Sequence, residues 1–189
     1  MLILNKDELL NKKHAMVKKL RNSIFIYPTD TIYGIGCDAT NEVLVNKIRE
    51  IKQRFDLPFS VIAPSKDWIA DNCVIKTKTQ SWLNNLPGPY TLILALTNKN
   101  CIAQSVNLKA DNLGVRLPEN WFTEVVADIG VPIVTTSANV TGQDFLTSID
   151  DLSPVIKEQV DFFIDDGVIN GRPSTLIYLD KGGFNLKRR

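Results

Sequence analysis

Tyr27-Pro28-Thr29-Asp30-Thr31-Ile32-Tyr33-Gly34-Ile35-Gly36 is the stretch of this 189-residue chain on which the fold turns, and Lys52-Gln53-Arg54 follows it at a helix's distance. Ser23 to Tyr27 is an apolar, β-leaning run, and Pro28 must end its ladder because it has no N–H to donate. The strand therefore delivers Thr29, Asp30 and Thr31 to a turn at its carboxyl end, the edge at which open α/β sheets bind ligands. Gly34 and Gly36 allow positive φ or a close approach of backbone to something bound. Asn41 suits the N-cap of a helix over 41–53 that carries Val43, Leu44, Ile48 and Ile51 on one face. Lys52 and Arg54 fall in its last turn. Positions i and i+2 do not share a helix face, so the helix end is expected to unwind and let both bases reach one anionic ligand. Gly34 to Ala39 also fits the dinucleotide pattern G-x-G-x-x-A, with Asp56 near the ribose-binding distance. That pattern needs its glycines directly off the strand and opening a helix, whereas here the Pro-Thr-Asp-Thr turn intervenes.

Three further segments are distinctive. Leu86-Pro87-Gly88-Pro89-Tyr90-Thr91 is a rigid turn feeding an apolar strand. Asn112-Leu113-Gly114-Val115-Arg116-Leu117-Pro118 sets one arginine inside an apolar extended run. Val131 to Gly142 is a buried strand ending in Ser137-Ala138-Asn139-Val140-Thr141-Gly142. The expected elements are helix 7–20, strand 23–27, helix 41–53, strand 60–63, an interrupted helix 66–84 and strand 90–96. They continue as strand 113–117, helix 119–128, strand 132–136, helix 149–158 and short strands near 161–164, 174–179 and 184–187. Strands alternating with helices argue for an α/β class, and the closing run of strands for a mixed sheet.

Together these motifs resemble the YrdC-like threonylcarbamoyl-AMP synthase family, whose pattern runs P-T-D-T-x-Y-G, K-x-R, P-G-P-x-T, V-R-x-P and S-A-N-x-S-G. The matches keep the family's order from about Ile24 to Ile177. The resemblance implies a single α/β YrdC-like domain over 1–189, with a twisted, mixed parallel and antiparallel sheet, flanking helices and a basic concave cleft. It implies formation of threonylcarbamoyl-AMP and pyrophosphate from L-threonine, bicarbonate or CO2, and ATP accompanied by Mg2+, with no tightly bound cofactor and no protein metal site. The product would serve N6-threonylcarbamoyladenosine modification of tRNA through downstream transferase proteins. Carried over by position, Thr31 and Arg116 would bind threonine, the arginine taking its carboxylate. Lys52 and Arg54 would bind ATP phosphates, Ser137 and Asn139 would contact nucleotide and hold the active-site loop, and these four would be the catalytic set. Asn112 would lie near the nucleotide, and Arg188 stands where relatives carry a nucleotide-binding arginine. The chain departs from the pattern at Leu57, in a Phe55-Asp56-Leu57-Pro58 loop one residue shorter than usual, and at Phe145, where some relatives have a serine touching ATP.

Composition bounds the alternatives. With 22 Lys and Arg against 21 Asp and Glu, the net charge is +1. A non-catalytic double-stranded RNA or tRNA-binding module of the same fold would need clustered bases, so only weak direct tRNA binding is expected. A carbamoyl-adenylate module like that of hydrogenase maturation proteins would bring zinc-finger and acylphosphatase-like regions absent from this sequence. Cys37, Cys73 and Cys101 are widely spaced and odd in number, which suits reduced cytoplasmic thiols. Residues 1–20 lack a signal-peptide core, no run reaches membrane-spanning length, and His14 lies among helix-spaced residues with no nucleophile beside it.

Overall fold

The computed structural model describes residues 1–108, 111–180 and 185–187. The chain runs β1 (Leu2–Asn5), α1 (Lys6–Asn11), α2 (Lys13–Leu20), β2 (Phe25–Tyr27), β3 (Gly34–Gly36), α3 (Glu42–Lys52), β4 (Ser60–Ile62), α4 (Lys66–Asn72), α5 (Thr77–Asn84) and β5 (Tyr90–Ala95). It continues through β6 (Asn112–Arg116), α6 (Phe122–Ile129), β7 (Ile133–Ser137), α7 (Pro154–Lys157), β8 (Phe162–Asp165), β9 (Thr175–Tyr178) and β10 (Asn185–Lys187). The strands form one ten-stranded sheet in the order β1-β8-β2-β3-β7-β4-β6-β5-β9-β10. Its pairing is mixed, with β1 parallel to β8 and β4 to β6, while β3 runs antiparallel to both β2 and β7.

Helices cover both faces. One core gathers Val45, Ile48 and Ile51 of α3, Ile69 of α4 and Leu83 of α5 against Ile26, Val61 and Val115. The other packs Leu9, Met16, Leu20 and α6 against Phe25, Tyr27, Ile62 and Ile133. Phe25 and Phe122 lie 6.0 Å apart, and Tyr27 stacks on Phe122 at 5.0 Å with rings inclined by only 15°. Burying a large apolar side chain of this kind is worth about 1.5–3 kcal/mol.

Local chemistry accounts for the best-defined helix. Asn41 caps α3, its side-chain oxygen accepting from the N–H groups of Val43 and Leu44. At the other end Gln53 adopts the left-handed conformation at φ 51°, and the Arg54 N–H donates back to the Arg49 carbonyl. The buried face differs from the expected one: Val43 is 76 % exposed, and Val45, Ile48 and Ile51 point inward with Arg49 and Lys52.

Four other differences have physical causes. β1 is absent from the expected elements because its partner β8 lies some 160 residues away and only Leu4 of the strand is buried. An Asn5–Glu8 capping box then starts α1, so the expected helix 7–20 is two helices. Over 149–158 only a 3₁₀ turn and the four residues of α7 are helical, since Pro154 must begin a helix rather than continue one. β3 is built from two glycines, poor strand formers, because the Tyr27 ring lies across them: a Cβ on Gly34 would stand 2.9 Å from Tyr27 Cζ. The close approach is thus made by the chain itself, and the two glycines lie within a strand rather than opening a helix, which removes the dinucleotide pattern. No described helix is long and apolar enough to cross a membrane.

A Cβ on Gly36 would stand 2.0 Å from the Val134 carbonyl oxygen. Gly36→Ala is expected to lower unfolding stability by about 1–3 kcal/mol through overpacking. A urea titration checks this as a lower midpoint at unchanged slope, and a wild-type midpoint would mean that β3 shifts freely from β7.

Candidate active site

On the sheet face that carries Tyr27, Ile62 and Ile133 into the second core, the adjoining stretch holds a cavity of about 250 Å³. Ser60 of β4, Thr91 of β5, Arg116 of β6 and Thr135 and Ser137 of β7 line it, so its lining is hydroxyl-rich and cationic. The Pro28 turn supplies Thr29, Ile32 and Tyr33. Inside that turn Thr29 Oγ1 accepts from the N–H groups of Thr31 and Ile32 and donates to the Ile32 carbonyl, which holds the turn rigid.

Arg116 is 6 % exposed. Its Nη2 donates to Asp30 Oδ1 at 2.7 Å and to Thr31 Oγ1 at 3.2 Å, while Nε is buried with no hydrogen-bond partner among the described residues. Burial pulls the guanidinium's pKa down, and Asp30 opposes that shift. Asp30 also accepts from the Glu119 N–H through its other oxygen. Asp30 and Thr31 thus take up Nη2 and fix the guanidinium on the cavity wall. Thr31 itself is 3 % exposed and touches Arg116 from beneath the lining.

Lys52 and Arg54 part company. The left-handed Gln53 turns Arg54 onto the cavity wall, where Nη2 donates to the Pro58 carbonyl at 2.6 Å, Nη1 lies 3.4 Å from Thr136 Oγ1, and Cζ sits 5.2 Å from the Phe59 ring centre. Lys52 is 2 % exposed and faces the chain's own loop: Nζ donates to the carbonyls of Ser137 at 2.5 Å and Asn139 at 2.6 Å. The expectation that both bases face one ligand is not met in this structure. Burial, then the neighbouring Arg54 charge, brings the lysine's pKa down to about 7.

The end of β7 is a closed network. Ser137 Oγ donates to Asn139 Oδ1 at 2.5 Å, Asn139 Nδ2 donates to the Gln143 carbonyl at 2.5 Å, and Thr141 Oγ1 donates to the Lys52 carbonyl at 2.8 Å. Ser137 lines the cavity and Asn139 lies behind it. Asn112 stands outside the lining, its amide donating to Asp180 Oδ2 at 2.7 Å. Phe145 is 44 % exposed and does line the cavity. Arg188 lies outside the described residues.

The sequence reading missed the segment that crosses the Pro28 turn. Tyr33 Oη donates to the Gly167 carbonyl at 2.7 Å and accepts from the Asp166 N–H, and burial pushes the phenol up to about 12. At the other end Ser174 and Thr91 share a hydroxyl hydrogen bond of 2.7 Å. Between them Gly171 packs so tightly on Thr31 that a Cβ would lie 1.6 Å from its carbonyl oxygen. The signal was the punctuation Gly171-Arg172-Pro173-Ser174, which marks an irregular crossing before a strand.

The family model described as "Telomere recombination", for Sua5, YciO and YrdC, matches residues 19–189. A Methanocaldococcus jannaschii protein provisionally named a threonylcarbamoyl-AMP synthase is 32 % identical over 182 residues, covering 94 % of this chain and 84 % of that one. Among solved structures, P. abyssi Sua5 complexed with L-threonine superposes with a TM-score of 0.84 at 24 % identity over 98 % of this chain, which spans 56 % of that one. E. coli YciO superposes with a TM-score of 0.85 at 22 % identity over 100 % of this chain and 94 % of its own. The chain belongs to the Sua5/YciO/YrdC family and has its α/β fold.

Lys52 yields a pH-dependent expectation. Lys52→Met leaves the Ser137 and Asn139 carbonyls without their donor, a loss of about 1–3 kcal/mol. Between about pH 7 and the ordinary lysine value of 10.5 the folded wild type binds fewer protons than the unfolded chain, so its stability rises with pH across that window. Methionine does not titrate. The stability gap between wild type and Lys52→Met is therefore expected to widen from pH 7 to 9 in parallel denaturant titrations, and a constant gap would show that Lys52 keeps its charge.

Proposed function

We propose that the chain condenses L-threonine, CO2 or bicarbonate, and ATP into threonylcarbamoyl-AMP, releasing pyrophosphate. The reading rests on one observation above all: two guanidinium groups, Arg116 with an uncommitted Nε and Arg54, stand on a single hydroxyl-lined cavity. The names of the relatives support it, as does the L-threonine in P. abyssi Sua5.

In this scheme the threonine amine adds to CO2 and loses a proton, giving a carbamate. A carbamate oxygen then attacks the α-phosphorus of ATP, the bond to the β-phosphate's bridging oxygen breaks, and pyrophosphate leaves. Such transfers are accelerated chiefly by alignment and charge stabilisation. Arg116 receives the amino acid's carboxylate through the guanidinium N–H groups that Asp30 and Thr31 do not take. Arg54 offers its charge to the phosphates, and Lys52 acts by holding the Ser137–Asn139 turn against the cavity. Mg2+ would arrive on the ATP phosphates, as it commonly does in nucleotide sites.

The decisive experiment incubates the purified chain with ATP, bicarbonate and labelled threonine. Pyrophosphate and an adenylated threonine derivative should appear only when all three are present; release of pyrophosphate without threonine, or none at all, overturns the reading.

A second prediction divides the site. A charge-assisted pair with a desolvated partner is worth about 2–5 kcal/mol, so Arg116→Ala should raise the Michaelis constant for threonine at least tenfold and leave ATP affinity within about twofold. Arg116→Lys retains a cation for Asp30 but lacks the planar fork, and should not restore threonine affinity. Loss of ATP binding with normal threonine saturation would exchange the two ligands.

A further inference from the structure

Arg49 lies on the buried face of α3 and is 4 % exposed. Its fork reaches five main-chain carbonyls. Nε donates to Ser105 at 2.7 Å, Nη1 to Arg54 at 2.8 Å, Leu57 at 3.1 Å and Phe55 at 3.3 Å, and Nη2 to Val106 at 3.4 Å. Three of those carbonyls belong to the shortened loop after α3, which has neither helix nor strand to satisfy them. Their bonds to Arg49 are partly shielded from water, and a planar guanidinium with five N–H groups meets more carbonyls at once than an ammonium with three.

The same loop ends in the two supports of Arg54, the Pro58 carbonyl and the Phe59 ring. Phe59 is gripped in turn by Arg49, whose Cζ lies 4.6 Å from the ring centre, and its N–H donates to the Val106 carbonyl that Arg49 also reaches. A retreat of Arg49 would take the donor from the carbonyls of Arg54, Phe55 and Leu57 and the cation from the Phe59 ring together.

We propose that Arg49 is a positioning residue, which sets the place of the Arg54 guanidinium on the cavity wall by organising the carbonyls of residues 54–57 around its own fork. The assignment of a nucleotide to Arg54 rests on the function proposed above; the organisation of the loop does not.

The test uses Arg49→Met, which keeps the stem and removes the donors, and Arg49→Lys, which keeps the charge. ATP affinity by calorimetry should fall at least tenfold in both, with the Michaelis constant for threonine within about twofold of wild type. In Arg49→Met/Arg54→Ala the loss should match Arg54→Ala alone to within about twofold, because Arg49 acts through Arg54. Wild-type ATP affinity in the folded variants, full rescue by lysine, or losses that simply multiply would overturn the proposal. If Arg49→Met does not fold, Arg49→Lys decides. Amide exchange, measured with no ligand present, should accelerate at least tenfold at Arg54 and Phe59, whose N–H groups donate to the Arg49 and Val106 carbonyls, and stay unchanged in β4 and β7; a uniform change or none overturns the positioning role. Should the wild type bind no ATP, the nucleotide reading falls and the exchange measurement still judges Arg49.

Discussion

Arg116 is a cation taken out of water, and Asp30, 86 positions earlier, makes that burial tolerable. An isolated buried guanidinium would be severely destabilising, whereas a paired and hydrogen-bonded one is sustainable. The pair also imposes shape. Three strands, β3, β7 and β4, separate β2 from β6 in the sheet order. A flat sheet would hold those two strands about 19 Å apart, yet the turn leaving β2 touches the end of β6. The sheet must therefore curl and the turn must fold over its face, so the concave surface and the ion pair are one feature. Tyr27 lies on the same face, its ring laid over two glycines and its hydroxyl donating to the Val134 carbonyl.

Around that pair the buried cations divide the labour. Arg116 is held to Asp30 and Thr31 by Nη2, and Arg54 stands on the wall. Lys52 and Arg49 spend their donors on main-chain oxygens, one at the end of β7 and the other at the loop after α3. These are stretches where strand or helix has just ended and the backbone has no regular partner. A surface of clustered exposed bases, as phosphate-backbone binding requires, is a different use of the same residues.

How much of this was legible depended on the range of the interactions involved. Cap chemistry is local, so Asn41, the strand-ending Pro28 and the apolar runs of β5, β6 and β7 were readable. Arg54, Arg116, Thr31 and Ser137 were singled out together by motif spacing, and the structure gathers them about one cavity or immediately beneath it. The different tasks of Lys52 and Arg54 were invisible because they depend on the handedness of one residue, Gln53. β1 and β3 escaped because their stability lies in partners: β8 for the first and the Tyr27 ring for the second. Arg49 resembled an ordinary helix-face base, since nothing in its neighbours announces that a loop will converge on it.

The strap fastened by Tyr33 at one end and by Ser174 at the other has a further consequence during biosynthesis. The cavity takes lining residues from Thr29 through to Pro173 and Ser174, and β2 is flanked by β8. A nascent chain that has emerged only through β7 already contains both arginines of the cavity, yet it lacks the strand beside β2 and the strap over Thr31. Pairings that remote in sequence are made late and slowly. The cavity is consequently walled in full only once the chain has been made through Ser174, and any translation product ending before that residue is born without its Pro173–Ser174 wall.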